Sequence, residues 1–319
     1  MPTFLKSLWG VFLGFRPLNL LLIFGLHKIT QWALIGKNPS IIQEKIISIQ
    51  GQVLLDDLMW ASILLAAAGY LINDHYDEIT DSINKAKKQT NQLMQKPVLV
   101  WLFWAGLNLS AIGLGFSIDD KAIDTQYGFL FLGITGVLWA YNLSKWSKFI
   151  LGPVVISALV ALNLVLIQDL TLSIFSGAFQ GSHSIDEISD FLHLKIVWIW
   201  RIAYLAFLAN LTREIIKDIE DINGDQNAKR QTMPIVLGIE RTAKLAVVLG
   251  FILVLSLGAF VAFALNSSIL LSINFTLVLI LAIWITFKCS KIERPSQAKS
   301  LSLALKLLLS LGLFCLCWL

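Results

Sequence analysis

Apolar residues in this chain gather into long runs separated by short polar breaks, and neither the strict alternation of a half-buried strand nor the narrow stripe of a surface helix dominates. A helix that crosses the hydrocarbon of a bilayer needs about 20 mostly apolar residues. Nine runs of that kind centre roughly on residues 25, 63, 107, 135, 159, 203, 253, 278 and 309. The pattern predicts an all-α membrane protein with about nine transmembrane helices, its two ends on opposite sides, and a single domain over residues 1–319. The connections are short except over 37–57 and 169–193, which are long enough to carry surface helices. Arg16 and Pro17 interrupt the first apolar run and no small-residue cleavage site follows, so that run is expected to be retained as a helix.

Composition agrees: 56% of the 319 residues are hydrophobic, 14% are charged, and the mean hydropathy is +0.73. Cys289, Cys315 and Cys317 form no CxxC pair, and the four histidines match no HExxH spacing, so a zinc site and a disulfide framework are not suggested. A bound metal would have to be held by oxygen. The net charge of +4 comes from dispersed cations with no basic, aromatic-interleaved strip, which argues against a nucleic-acid partner. Their distribution instead sets an orientation. Lys28, Lys37, Lys45, Lys121 and Lys195 fall on one side, Arg201 and Lys306 fall inside spans, and the remaining eighteen of the 25 fall on the other. The positive-inside rule then places the N-terminus in the cytoplasm and predicts a multi-pass protein of the cell membrane.

Two acid-rich segments fall on that cytoplasmic side, each at the end of a span. In the first, Asn73, Asp74, Asp77 and Asp81 share an arc of about 100° on a helical wheel. In the second, Glu214, Asp218 and Asp221 form another stripe; Gly224 is expected to end the helix and leave Asp225 in the loop. Like charges so close repel unless a cation joins them. Clustered oxygen ligands suit Mg²⁺, which prefers one or two carboxylates together with waters and substrate phosphates. Bound there, Mg²⁺ would act as a Lewis acid on a leaving diphosphate. The predicted metal ligands are Asp74, Asp77, Asp81, Asp218 and Asp221. A third element pairs Tyr141 with Lys145 one turn apart, a cation and a phenol ring on one face.

The run NDHYDEITD from Asn73 resembles the first signature of the UbiA superfamily of intramembrane prenyltransferases, and the acidic run from Arg213 resembles that family's second. The stretch REIIKDIEDINGD, followed by TMPIVLG, resembles the branch of geranylgeranylglycerol-phosphate geranylgeranyltransferases; YNLSK from Tyr141 is similar to the family's YxxxK element. The likeness extends from Arg16-Pro17-Leu18-Asn19 through the nine spans. It implies helices around a central cavity that opens to lipid, and an active site facing the cytoplasm. It also implies Mg²⁺-dependent transfer of a prenyl group from an isoprenoid diphosphate to a small lipid or aromatic acceptor. On this resemblance Asp74, Asp77, Asp218, Asp221, Tyr141 and Lys145 carry the reaction, and Asn73, Asp81, Glu214, Asp225, Lys85 and Lys217 help to bind the metal and diphosphate.

The chain departs from the family in three places. Asn84-Lys85 continues as Ala86-Lys87-Lys88 rather than as NKPxxRP, Gly152-Pro153 stands where Gly-Asn is common, and Lys229 stands where Gly is frequent. The branch likeness favours geranylgeranylglycerol phosphate as acceptor. An aromatic quinone precursor such as 4-hydroxybenzoate or 1,4-dihydroxy-2-naphthoate, or a porphyrin or chlorin, fits the same donor chemistry. The rival of another class is a secondary transporter, whose ion-coupling carboxylates usually lie at the bilayer midplane on broken helices. Both clusters here lie at span ends.

Overall fold

A computed structural model describes residues 15–36, 49–77, 97–143, 149–178, 185–265 and 268–318. Among them every regular element is helical: α1 (Pro17–Gln31, followed by a π-helical turn Trp32–Gly36), α2 (Ile49–Tyr76), α3 (Pro97–Asp119), α4 (Tyr127–Leu143), α5 (Leu151–Ala178), α6 (Ile185–Asn227), α7 (Met233–Leu237), α8 (Ile239–Leu265), α9 (Ile269–Cys289) and α10 (Pro295–Leu313), closed by a 3₁₀ turn Phe314–Trp318. Among the described residues eight helices are long and apolar enough to cross a bilayer, and the shorter apolar α4 is a ninth candidate. All nine coincide with the runs read from the sequence. Pro17, Pro97 and Pro295 each open a helix, where a residue without an N–H loses no hydrogen bond and its fixed φ suits the first turn.

The long connections are shorter than expected. α5 runs on to Ala178 and α6 starts at Ile185, so most of 169–193 is helix continuous with its neighbouring span. The helix α6, with 43 residues, is about 64 Å long and exceeds the roughly 30 Å hydrocarbon core. Likewise α2 already begins at Ile49.

Two compact units divide the chain, one formed from Met1–Lys28, Pro39–Lys145 and Asp169–Gly181, the other from Ile29–Asn38, Trp146–Gln168 and Ser182–Leu319. In the first unit α2, α3 and α4 pack on one another. Leu71 and Val100 are buried together, with Phe15, Trp104 and Leu107 against them. Thr135 on α4 donates to Asn108 Oδ1 on α3 at 2.8 Å, and Asn108 Nδ2 satisfies itself on Trp104 O. The end of α3 holds the start of α4: Asp119 accepts the backbone N–H of Tyr127 at 2.7 Å and of Gly128 at 2.8 Å, two donors that a helix start would leave unpaired. Tyr127 Oη donates to Asp169 at 2.9 Å, tying the C-terminal part of α5 to the same end.

In the second unit α6 packs on α8 and α10, α8 on α9, and α9 on α10. Trp198 and Phe275 stack with centroids 5.7 Å apart. Asn210 on α6 donates to Ser157 Oγ on α5 at 3.2 Å, and Ser157 donates to Pro153 O. Such pairs matter between membrane helices because lipid offers polar groups no alternative partner. Cys289 and Cys315 are buried and Cys317 is half-buried.

Candidate functional site

The first acidic segment sits at the C-terminal end of α2. The Asp77 N–H closes onto Asn73 O at 2.8 Å, a last helical turn that reaches one residue past Tyr76. That turn places Asn73 and Asp77 on one face, and Asn73 Nδ2 donates to Asp77 Oδ2 at 2.8 Å. Asp74 is buried at 9% exposure and its Oδ1 is ion-paired with Arg16, whose guanidinium also lies over the Tyr70 ring at 5.0 Å. A buried carboxylate is costly without such a partner. The pairing of Arg16 was not read from the sequence, where this residue marked the break in the first apolar run, the orientation and the start of the family likeness. Asp81 and Lys85 lie outside the described residues.

The second segment is a continuous part of α6. Glu214, Asp218, Asp221 and Asp225 follow one another at intervals of three or four residues and therefore run along one side of the helix. Arg213 is ion-paired with its neighbour Glu214, both largely buried. Asp218 is half-buried, its Oδ2 is enclosed, and no described donor bonds to that atom. An enclosed carboxylate oxygen without a donor, in a line of like charges, suits an oxygen-seeking dication. Lys217 stands beside it, half-buried. Among the described residues no three carboxylate, imidazole or thiol groups converge as a ready-made metal cage.

Gly224 does not end the helix. It is buried within α6, which continues to Asn227, and Ala228 N still bonds to Gly224 O at 2.9 Å. Asp225 is therefore helical and not part of the loop as expected. It is buried at 4% exposure, and Arg230 returns to it twice, through Nη1 on the carboxylate at 3.3 Å and through the backbone N–H on Asp225 O at 2.9 Å. The returning arginine stabilises the last turn that the glycine would otherwise weaken. Lys229 makes the actual stop, with φ of 52° in the left-handed region that glycine adopts most readily. This is the position where the sequence departs from the family's frequent glycine.

Tyr141 lies in the last turn of α4, half-buried; Lys145 lies outside the described residues.

Residues 49–312 match the profile of the UbiA prenyltransferase family. The chain is 29% identical over 191 residues to the digeranylgeranylglyceryl phosphate synthase of Methanoregula boonei, a match covering 59% of each chain, so it spans about three fifths of that relative's length. It is 32% identical over 247 residues to the enzyme of the same name from Saccharolobus solfataricus, covering 74% of this chain and 75% of that one. A solved structure concerning digeranylgeranylglyceryl phosphate synthase in membranes superposes with a TM-score of 0.62 at 19% identity, over 98% of this chain and 97% of that one. A UbiA homolog from Archaeoglobus fulgidus bound to GPP and Mg²⁺ superposes with a TM-score of 0.57 at 16% identity, over 97% and 99%. The fold is therefore the one those two proteins share. With nine apolar helices among the described residues, an acidic segment ending α2 and a second ending α6, this chain belongs to the UbiA prenyltransferase family.

Proposed function

We propose that this protein transfers a prenyl group from an allylic isoprenoid diphosphate to a small acceptor, with Mg²⁺ as cofactor and residues 1–319 acting as a single UbiA-like domain. The observation that carries the reading is the enclosed Oδ2 of Asp218, to which no described donor bonds, within the acidic line of α6. Asp74, Asp77, Asp81, Asp218 and Asp221 are the proposed metal ligands. Asn73 holds Asp77 in place, and Glu214 is anchored by Arg213. Mg²⁺ bound there would draw charge off the departing diphosphate. Lys85, Lys145 and Lys217 are proposed to neutralise diphosphate oxygens, and Tyr141 to border the reacting carbon. The unbroken course of α2 and α6 through their spans favours this reading over a transporter with discontinuous helices.

For the acceptor we propose geranylgeranylglycerol phosphate. Two relatives that bear the name digeranylgeranylglyceryl phosphate synthase support it. The test is incubation of purified protein with Mg²⁺, allylic diphosphates of several lengths and a panel of acceptors, followed by product mass analysis. The expected product is the doubly prenylated glycerol phosphate. Prenylation of 4-hydroxybenzoate or a dihydroxynaphthoate in its place would overturn the acceptor and keep the reaction class; no transfer to any acceptor would overturn both.

We propose further that the acidic ends of α2 and α6 face the cytoplasm, on the strength of the Lys and Arg distribution. Lys229, exposed at the stop of α6, offers the measurement. A cysteine placed there, in a background lacking Cys289, Cys315 and Cys317, is expected to react with an impermeant thiol reagent only from the cytoplasmic side. Reaction from outside would reverse the orientation.

A further inference from the structure

Arg201 is a permanent cation inside the α6 span, and its surroundings are unusual for one. Its guanidinium lies over three rings, Trp198 at 4.7 Å, Phe263 at 4.8 Å and Phe260 at 5.6 Å. Trp198 is buried and fixed by its stack on Phe275, whereas Phe263 is 54% exposed. The cation is thus held in place by aromatic faces on α6 and α8, with one side open to the surroundings of the helices. Among the described residues no carboxylate pairs with Arg201 and no acceptor takes any of its N–H groups. The five donors of its rigid planar fork therefore have no acceptor among the described residues.

Depth decides what can meet them. Arg201 precedes Asp218 by 17 residues of helix, about 25 Å, close to the thickness of the hydrocarbon core. Phe263 lies two residues before α8 ends at Leu265. Both measures put Arg201 at the membrane boundary opposite the acidic motif. Trp200 and Tyr204, both exposed, flank it in the manner of residues at headgroup level. The abundant acceptor there is lipid phosphate, whose oxygens match a guanidinium fork in pairs.

We propose that Arg201, framed by Trp198, Phe260 and Phe263, is a binding site for the phosphate of a membrane phospholipid in the leaflet at that end of α6. The site is remote from the acidic stripe of α6 and independent of the reaction proposed above. Delipidated protein in detergent would be titrated with a short-chain phosphatidylglycerol, with the diacylglycerol of the same chains and with inorganic phosphate, and bound lipid counted by native mass spectrometry. Wild type is expected to retain the phosphatidylglycerol in preference to the diacylglycerol, Arg201→Gln to hold it about tenfold more weakly, and Arg201→Lys to fall between them. Equal retention by wild type and Arg201→Gln would overturn the proposal, as would full competition by inorganic phosphate, which would make the ligand a soluble anion. Should Arg201→Gln fail to fold, a photo-crosslinking residue at the exposed Val197, in bilayers holding both lipids, is expected to capture the phospholipid in excess. Adducts in proportion to the lipid mixture would refute the site.

Discussion

Asp218→Asn is expected to lower prenyl transfer by on the order of 10²–10³-fold or more while leaving the melting temperature unchanged or raised. The two side chains have nearly the same shape, so α6 has no reason to move. What changes is charge. In the native chain the Asp218 carboxylate follows Glu214 by one turn and precedes Asp221 by another, and like charges at those spacings oppose each other. The nearby Arg213 is already engaged with Glu214, and Oδ2 of Asp218 has no described donor. An arrangement of this kind destabilises the empty helix and favours a bound dication, so the asparagine variant relieves repulsion and loses the ligand together. A second readout separates ligand from fold: Mg²⁺ should raise the melting temperature of the wild-type protein by mass action and raise that of Asp218→Asn less. Full activity in the variant, or an undiminished Mg²⁺ response, would remove Asp218 from the metal site.

The largest effect on stability is expected at Gly115, where α3 meets α4. A Cβ added there would lie 2.9 Å from the backbone N and Cα of Gly128 and 2.8 Å from the Phe131 ring. One on Gly128 would lie 2.4 Å from the Phe116 ring. Rings can turn but backbone cannot, so Gly115→Ala forces the helices apart and strains the Thr135–Asn108 bond and the Asp119 clamp with them. The expected cost is about 1–3 kcal/mol in a reversible unfolding titration in mixed micelles. Gly113→Ala on the same helix is the control. Nothing lies within 4 Å of a Cβ there, so the better helix former should be neutral or stabilising. Equal behaviour of the two variants would show that the close approach at Gly115 carries no packing energy.

The candidate site was legible in part. Asn73 and Asp77 meet as their four-residue spacing requires, because an interval of four closes one turn of any helix. The stripe from Glu214 to Asp221 follows from the same rule. Gly224 misled because its helix-stopping tendency is a local preference of about 1 kcal/mol, and burial of the glycine with the return of Arg230 to Asp225 outweighs it. The partner of Asp74 was invisible for a different reason. Arg16 is 58 residues away in sequence, and no periodicity reports a contact between separate helices.

By itself, the sequence determined that this is a membrane protein, how many apolar helices it has, which family it joins and which side chains are acidic at the ends of two of them. These properties follow from run length, helical period and motif, all of which act within a span of about 20 residues. Tertiary structure alone decided that Asp74 has an arginine partner while Oδ2 of Asp218 has no described donor. It also decided that Gly115 is a contact point while Gly113 is open, and that Arg201 is framed by rings from two helices. In lipid, hydrophobicity selects the helices but does not tell one apolar face from another, so close packing and polar partners settle how they meet.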